Sequence, residues 1–172
     1  AILLIISAFL SVVSSKGFGK KIFLLIFILV FNNILIRDKC FLESNYYCIQ
    51  IIRDNSQNTK GYVLQLDSLI HGFVSEEDYK DLGYAYEKTF ALFAEYVYKK
   101  RHDFGSLFLG GGGYVLPRYM ENLYPKSHIQ VAEIDPVVSL VNYENLFLSR
   151  DTSIITHNVD ARILIQNNKD AL

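Results

Sequence analysis

The chain has 172 residues, enough for a domain with a sizeable core. It is 51% hydrophobic with a formal net charge of −1, so bulk electrostatics predict no nucleic-acid partner. Two cysteines, Cys40 and Cys48, make neither a disulfide framework nor a zinc pattern, and both are expected to be plain thiols in a reducing compartment.

The apolar excess lies in the first 36 residues. Residues 2–13 are apolar apart from Ser7 and Ser11, and residues 22–36 apart from Asn32 and Asn33. Lys16, Lys20 and Lys21 lie between the two runs. A span takes about 20 residues, which neither run reaches alone. Truncated or short transmembrane helices, a signal-like leader and buried soluble helices compete here. Helices apolar on all sides are rarely soluble surface elements, which favours the membrane. The chain begins at Ala1 and stops at Leu172, and it is read as a fragment open at both ends.

From about Arg37 the composition is that of a soluble domain. Residues 46–53 read as a strand, 54–60 (DNSQNTK) as a turn, 61–66 as the returning strand and 69–73 as a third. The expected layout is therefore residues 1–36 transmembrane-like, 37–80 a β-hairpin unit, and 81–172 a partial Rossmann-like domain. Residues 82–100 read as a helix, with Tyr86, Phe90, Phe93, Ala94 and Val97 on one face. Lys99, Lys100 and Arg101 suit its C-terminal dipole.

Strands and helices then alternate. Residues 106–109, 129–134 and 153–156 read as strands, and 114–123, 136–148 and 161–166 as helices, with Asp135 a plausible N-cap. Pro117 must fall in a first turn. Such alternation means a parallel sheet with right-handed crossovers.

The chemistry concentrates in LFLGGGG followed by AEID. Gly110, Gly111, Gly112 and Gly113 come directly after a strand, where glycine allows a tight turn and lets backbone approach a ligand. Glu133 lies twenty residues beyond Gly113, the spacing of a β–α–β unit whose acid accepts bonds from ribose hydroxyls. The dinucleotide fingerprint fails at its third glycine, where Leu116 stands. Glycines and acid alone do not choose between a nicotinamide cofactor and S-adenosylmethionine. Asp160 and Ala161, after the third strand, could receive an adenine edge, although Asp160 could equally cap a helix.

Several segments occur in a telling order: Glu43-Ser44-Asn45-Tyr46-Tyr47, Leu66-Asp67, Tyr84-Ala85-Tyr86-Glu87, GGGGYVLPRYME, AEIDP and VDARILI. From Glu43 onward the chain resembles the spermidine synthase family, closest to its membrane-fused branch. The resemblance implies an α/β fold: a small antiparallel β unit, then an incomplete Rossmann-like S-adenosylmethionine-dependent transferase core, preceded by transmembrane helices. It implies that Gly110, Gly111 and Gly112, with Gly113, form the cofactor loop, that Glu133 holds the ribose, and that Asp160 and Ala161 hold the adenine. His71, where the family often has Gln, and Tyr86 would lie toward the substrate.

The resemblance also implies S-adenosylmethionine or its decarboxylated form as co-substrate, no metal, and a small-molecule amine as partner. It implies a membrane location with the α/β domain cytoplasmic, and leaves a homodimer open. Three departures bear on substrate. The loop usually reads GGGDG, with Gly113 here in place of the amine-binding Asp. The LDG element reads Leu66-Asp67-Ser68, and the usual Tyr-Gln reads Tyr46-Tyr47. The family's catalytic carboxylate follows a fourth core strand, so these residues alone are expected to be inactive. Aminopropyl transfer, methyl transfer on the same fold, and a non-catalytic membrane protein with a nucleotide-binding domain all remain open.

Overall fold

The structure is a computed structural model that describes residues 17, 19, 26–28, 40–55 and 59–167. Two compact units divide the chain, residues 1–39 and 40–172, and every element below belongs to the second. Most of the two apolar runs lies outside the described residues. Among the described residues, no helix is long and apolar enough to cross a membrane.

The first half of the second unit is an antiparallel sheet in the order β1 (Leu42–Glu43), β2 (Cys48–Asp54), β3 (Gly61–Leu66) and β4 (Leu69–Ser75). β3 and β4 are joined through Asp67 and Ser68. Asp67 takes a left-handed backbone (φ 54°), which Asp tolerates, and its Oδ1 accepts the Cys48 N–H at 2.9 Å. One turn thus fastens two hairpins.

The expectation of plain thiols is corrected here. Cys40 and Cys48 form a disulfide, with Cα atoms 5.2 Å apart. The cause is β1, a strand too short for the sequence pattern to announce. Its turn is closed by the Ser44 N–H on the Tyr47 carbonyl (2.9 Å), which folds Cys40 back beside Cys48.

Helix α1 (Ala85–Lys100) follows. The face expected from its apolar spacing is buried only in part: Ala94 is buried and Val97 half-buried, but its three aromatics are exposed. Glu87, Ala91 and Ala94 are buried, whereas Phe90 and Phe93 are 60% and 65% exposed. The small alanines face the packed side, and the large aromatics line an open groove.

The second half is a parallel sheet in the order β5 (Gly105–Leu109), β6 (His128–Ala132) and β7 (Ile155–His157), as strand–helix alternation requires. Helices α2 (Val115–Leu123) and α3 (Pro136–Asn145) make the crossovers, and α4 (Ala161–Asn167) follows β7. Pro117 lies in the first turn of α2, and Asp135 caps α3 by accepting the Val137 N–H at 2.9 Å. α3 ends before the expected Leu148 because Phe147 turns left-handed (φ 62°).

Two apolar clusters hold these layers. Tyr114, Met120, Ile129, Val131 and Leu148 pack with Ala94 of α1. Val138, Val141 and Leu146 pack with Ile49, Leu64 and Val74 of the antiparallel sheet. α3 therefore ties the two sheets together, and burial of such side chains stabilises by roughly 1.5–3 kcal/mol each.

Candidate cofactor and substrate site

β5 runs directly into the four glycines. Gly110 (φ 99°) and Gly112 (φ 49°) occupy the left-handed region, which strains any L side chain. The Gly110 N–H continues the ladder onto the Ala132 carbonyl (2.9 Å), and the Gly111 carbonyl accepts the Tyr114 N–H (2.9 Å). Buried Tyr114 stands against the loop: a Cβ on Gly111 would begin 2.4 Å from its ring. The Tyr114 hydroxyl lies 3.2 Å from both Ser139 Oγ and Thr156 Oγ1, and burial pushes this phenol up.

Glu133 lies behind the loop, 6% exposed. Its Oε2 accepts the Gly111 N–H at 2.7 Å and its Oε1 the Asp135 N–H at 2.9 Å. Each oxygen keeps a second lone pair for a further donor. Asp135, also buried, caps α3 with Oδ1, and its Oδ2 accepts the Ser44 hydroxyl at 2.5 Å. Ser44 Oγ in turn accepts the Tyr46 and Tyr47 N–H groups (3.0 and 2.9 Å), so the disulfide-closed hairpin docks onto the start of α3.

Asn142 of α3 donates from Nδ2 to the Gly112 carbonyl at 2.7 Å and to the Val138 carbonyl at 2.9 Å. Its Oδ1 is buried without a partner. After β7, Asn158 Nδ2 donates to Ser139 Oγ at 2.8 Å and to the Glu133 carbonyl at 3.3 Å. Asp160 accepts the Arg162 N–H at 2.8 Å and pairs with the Arg162 guanidinium (2.6 Å), bonds that hold its carboxyl at about 2. It takes an N-cap arrangement at the start of α4, which Ala161 opens.

A cavity of about 810 Å³ opens on the other side of the loop. Gly110–Gly113, His71 of β4, and Tyr86 and Glu87 of α1 line its polar part, while Phe90, Phe93 and the β5 edge line its apolar part. The His71 ring lies 6.4 Å from that of Tyr47. The Tyr86 phenol is pushed up to about 12, by burial first and the Glu87 carboxylate second. A side chain at Gly113 would begin 2.9 Å from Val74 Cγ2, so β4 occupies the space such a residue would need.

The expected residues therefore fall into two groups at the carboxyl ends of the parallel strands, where α/β sheets bind ligands. His71, Tyr86 and the four glycines share one cavity. Glu133, Asp160 and Ala161 do not line it and lie at the ends of β6 and β7. Asn142, Asn158, Ser44 and Glu87 were missed. Asn142 left one signal, a polar residue one turn from Val138 on an apolar helix face. Among the described residues, no group of three or more His, Cys, Asp or Glu converges as a metal site.

No protein-family model matches the chain. A polyamine aminopropyltransferase from Vibrio vulnificus (strain CMCP6) is 37% identical over 60 residues, covering 35% of this chain and 20% of that protein. The crystal structure of a probable spermidine synthase from Corynebacterium glutamicum ATCC 13032 superposes with a TM-score of 0.65 at 21% identity, covering 72% of this chain and 45% of that one. The chain thus spans about one fifth of the curated relative's length and under half of the structural neighbour's. Over 60 residues of sequence and 72% of its length in fold, the chain resembles the spermidine synthase family.

Proposed function

We propose that this chain is the cofactor-binding part of a spermidine synthase-like transferase, which moves an aminopropyl group from decarboxylated S-adenosylmethionine to a polyamine. The observation that carries this reading is the loop–acid unit: Gly111 N–H on Glu133 at the carboxyl end of a parallel sheet. The named relatives, a polyamine aminopropyltransferase and a probable spermidine synthase, support it.

The residues present suit an adenosyl ligand. Glu133 keeps lone pairs for ribose hydroxyls, Ala161 is small beside an adenine edge, and a Cβ on Gly110 would meet nothing within 4 Å. The co-substrate would supply an electrophilic carbon bonded to a sulfonium. The acceptor amine would attack that carbon, form a C–N bond, break the C–S bond and release a neutral thioether. The amine must lose a proton first, since its pKa resembles that of Lys at about 10. The protein's task is to hold the reactants in line and take up that proton.

A second reading, methyl transfer on the same fold, is favoured by Gly113, where Val74 blocks the side chain that a GGGDG loop would present. Calorimetric titration with decarboxylated S-adenosylmethionine, S-adenosylmethionine and NAD decides among them. Preference for the decarboxylated compound is expected. Preference for S-adenosylmethionine would move the assignment to methyl transfer, and tight NAD binding without sulfonium binding would overturn both. We further propose that residues 1–36 attach the protein to a membrane; partition of the full protein into the salt-extractable fraction would count against it.

A further inference from the structure

The hairpin that carries the disulfide is tied to the glycine loop by a chain of hydrogen bonds. Ser44 stands in the turn between β1 and β2 and gives its hydroxyl to Asp135 Oδ2 at 2.5 Å. The Asp135 N–H donates to Glu133 Oε1 at 2.9 Å, and Glu133 Oε2 accepts the Gly111 N–H at 2.7 Å. The path thus runs from a surface turn, through two buried carboxylates, into the loop.

Each link depends on the one before it. Among the described residues, Ser44 is the side chain that donates to Asp135 Oδ2, while Oδ1 is committed to the Val137 N–H. A buried carboxylate oxygen that loses its donor is left poorly solvated, so it must turn or admit water. Either adjustment acts on the Asp135 backbone that holds Glu133, and so on the acceptor for Gly111.

Ser44 itself is held by a hairpin with one weak arm. The Cys48 arm is β2, which pairs with β3 from Ile49 to Asp54. The Cys40 arm is β1, two residues long, both exposed, at the edge of the sheet. So short an edge strand gains little from burial. The cross-link to Cys48 is the strong fastening on that arm. Both cysteines are half-buried, which leaves them open to a small thiol.

We propose that the Cys40–Cys48 disulfide is a redox switch on the cofactor loop, with Ser44 and Asp135 as the positioning residues that relay its state to Glu133 and Gly111. A dithiol reductant supplies the two electrons. One of its thiolates attacks a bridge sulfur and breaks the Cys40–Cys48 bond, and its second thiolate then displaces the mixed disulfide. Cys40 and Cys48 each take up a proton as thiols, and the reductant leaves as a disulfide. The β1 arm is released, Ser44 loses its fixed place beside Asp135, and the hold on Gly111 slackens. The loop is set for its ligand when the bridge is closed. The transferase reading enters only in naming that ligand as an adenosyl sulfonium compound.

The test titrates the full protein calorimetrically with decarboxylated S-adenosylmethionine and with S-adenosylmethionine, before and after treatment with dithiothreitol. Ser44→Ala and a Cys40→Ser, Cys48→Ser double variant are titrated beside it. Reduction should weaken binding by about tenfold, and reoxidation should restore it. The double variant should bind at the reduced level and ignore dithiothreitol. Ser44→Ala should be weak in both states, with the two within about twofold. Equal affinities of the oxidised and reduced parent would overturn the switch. A reductant effect on Ser44→Ala as large as on the parent would overturn the relay.

Amide hydrogen exchange on the parent gives a second answer that needs neither ligand nor variant. Reduction should speed exchange at Gly111, whose N–H bonds Glu133, and leave it unchanged at Gly110, whose N–H bonds the Ala132 carbonyl. Equal acceleration at both would be general loosening and would overturn the relay, as would no change at Gly111. The expected exchange pattern without sulfonium binding in either state would leave the switch standing and sink the transferase reading.

Discussion

The two sides of the glycine loop are built to different standards. On the β6–α3 side, Glu133 and Asp135 each use both oxygens, and Asn142 and Asn158 each donate twice, all within the protein. On the α1 side, buried Glu87 is held by the Tyr84 and Gly83 N–H groups and the Tyr86 hydroxyl, while Tyr86 itself is 53% exposed. The first side is fixed before any ligand arrives, which lowers the ordering cost of binding. The second presents an aromatic wall whose rings stay exposed. Rigidity on one side and an open wall on the other suit a site that positions one reactant and admits another.

Breaking the fixed side should give the largest effects. Reducing the Cys40–Cys48 bridge, or making Cys48→Ser, removes a cross-link between residues eight apart. Chain-entropy arguments put the loss at about 2–3 kcal/mol of unfolding free energy, measurable by urea denaturation with and without reductant. A near-zero loss would mean that the β1–β2 ladder and the Ser44–Asp135 contact hold the hairpin without the cross-link.

Glu133→Ala should come next. It strips the acceptor from two backbone N–H groups and, on the proposed function, from the ribose, and should then weaken sulfonium affinity by on the order of 1–3 kcal/mol. Unchanged affinity by calorimetry would leave Glu133 a loop-positioning residue only. Asn142→Leu should cost less, about 1 kcal/mol, because losing the donor to Gly112 is partly offset by removing the partnerless Oδ1. Faster hydrogen exchange at Gly112 and Gly113 would be its signature, and unchanged exchange would show that the loop holds its own shape.

The fixed side is also where the sequence was most and least informative. The glycines and Glu133 were legible because a β–α–β unit imposes their separation through chain geometry. β3 was read with the bounds it has, since alternation between Gly61 and the Asp67 turn is a local signal. Asn142 and Ser44 were not legible. Their partners Gly112 and Asp135 lie 30 and 91 residues away, and only the packing of α3 between the two sheets brings them together. The aromatic part of the α1 face failed for a related reason, while its Ala94 is buried as expected. Periodicity gives the spacing of Tyr86, Phe90 and Phe93 but not the side on which the neighbours sit. The disulfide was missed with β1, whose two residues are set by the hairpin rather than by their own propensity.

The smallest expected effect probes the open side and depends on pH. Burial raises the Glu87 carboxyl in the folded chain above its ordinary value of 4.5, so the folded state keeps a proton that the unfolded chain gives up. The stability contribution of that proton is fully present below about 4.5 and is lost as pH rises through the higher folded value. Glu87→Gln cannot titrate. The melting temperature of the variant minus that of the parent should therefore climb with pH from about 4.5 and then level off. A flat difference would mean that the Tyr84 and Gly83 N–H groups and the Tyr86 hydroxyl offset the burial of Glu87.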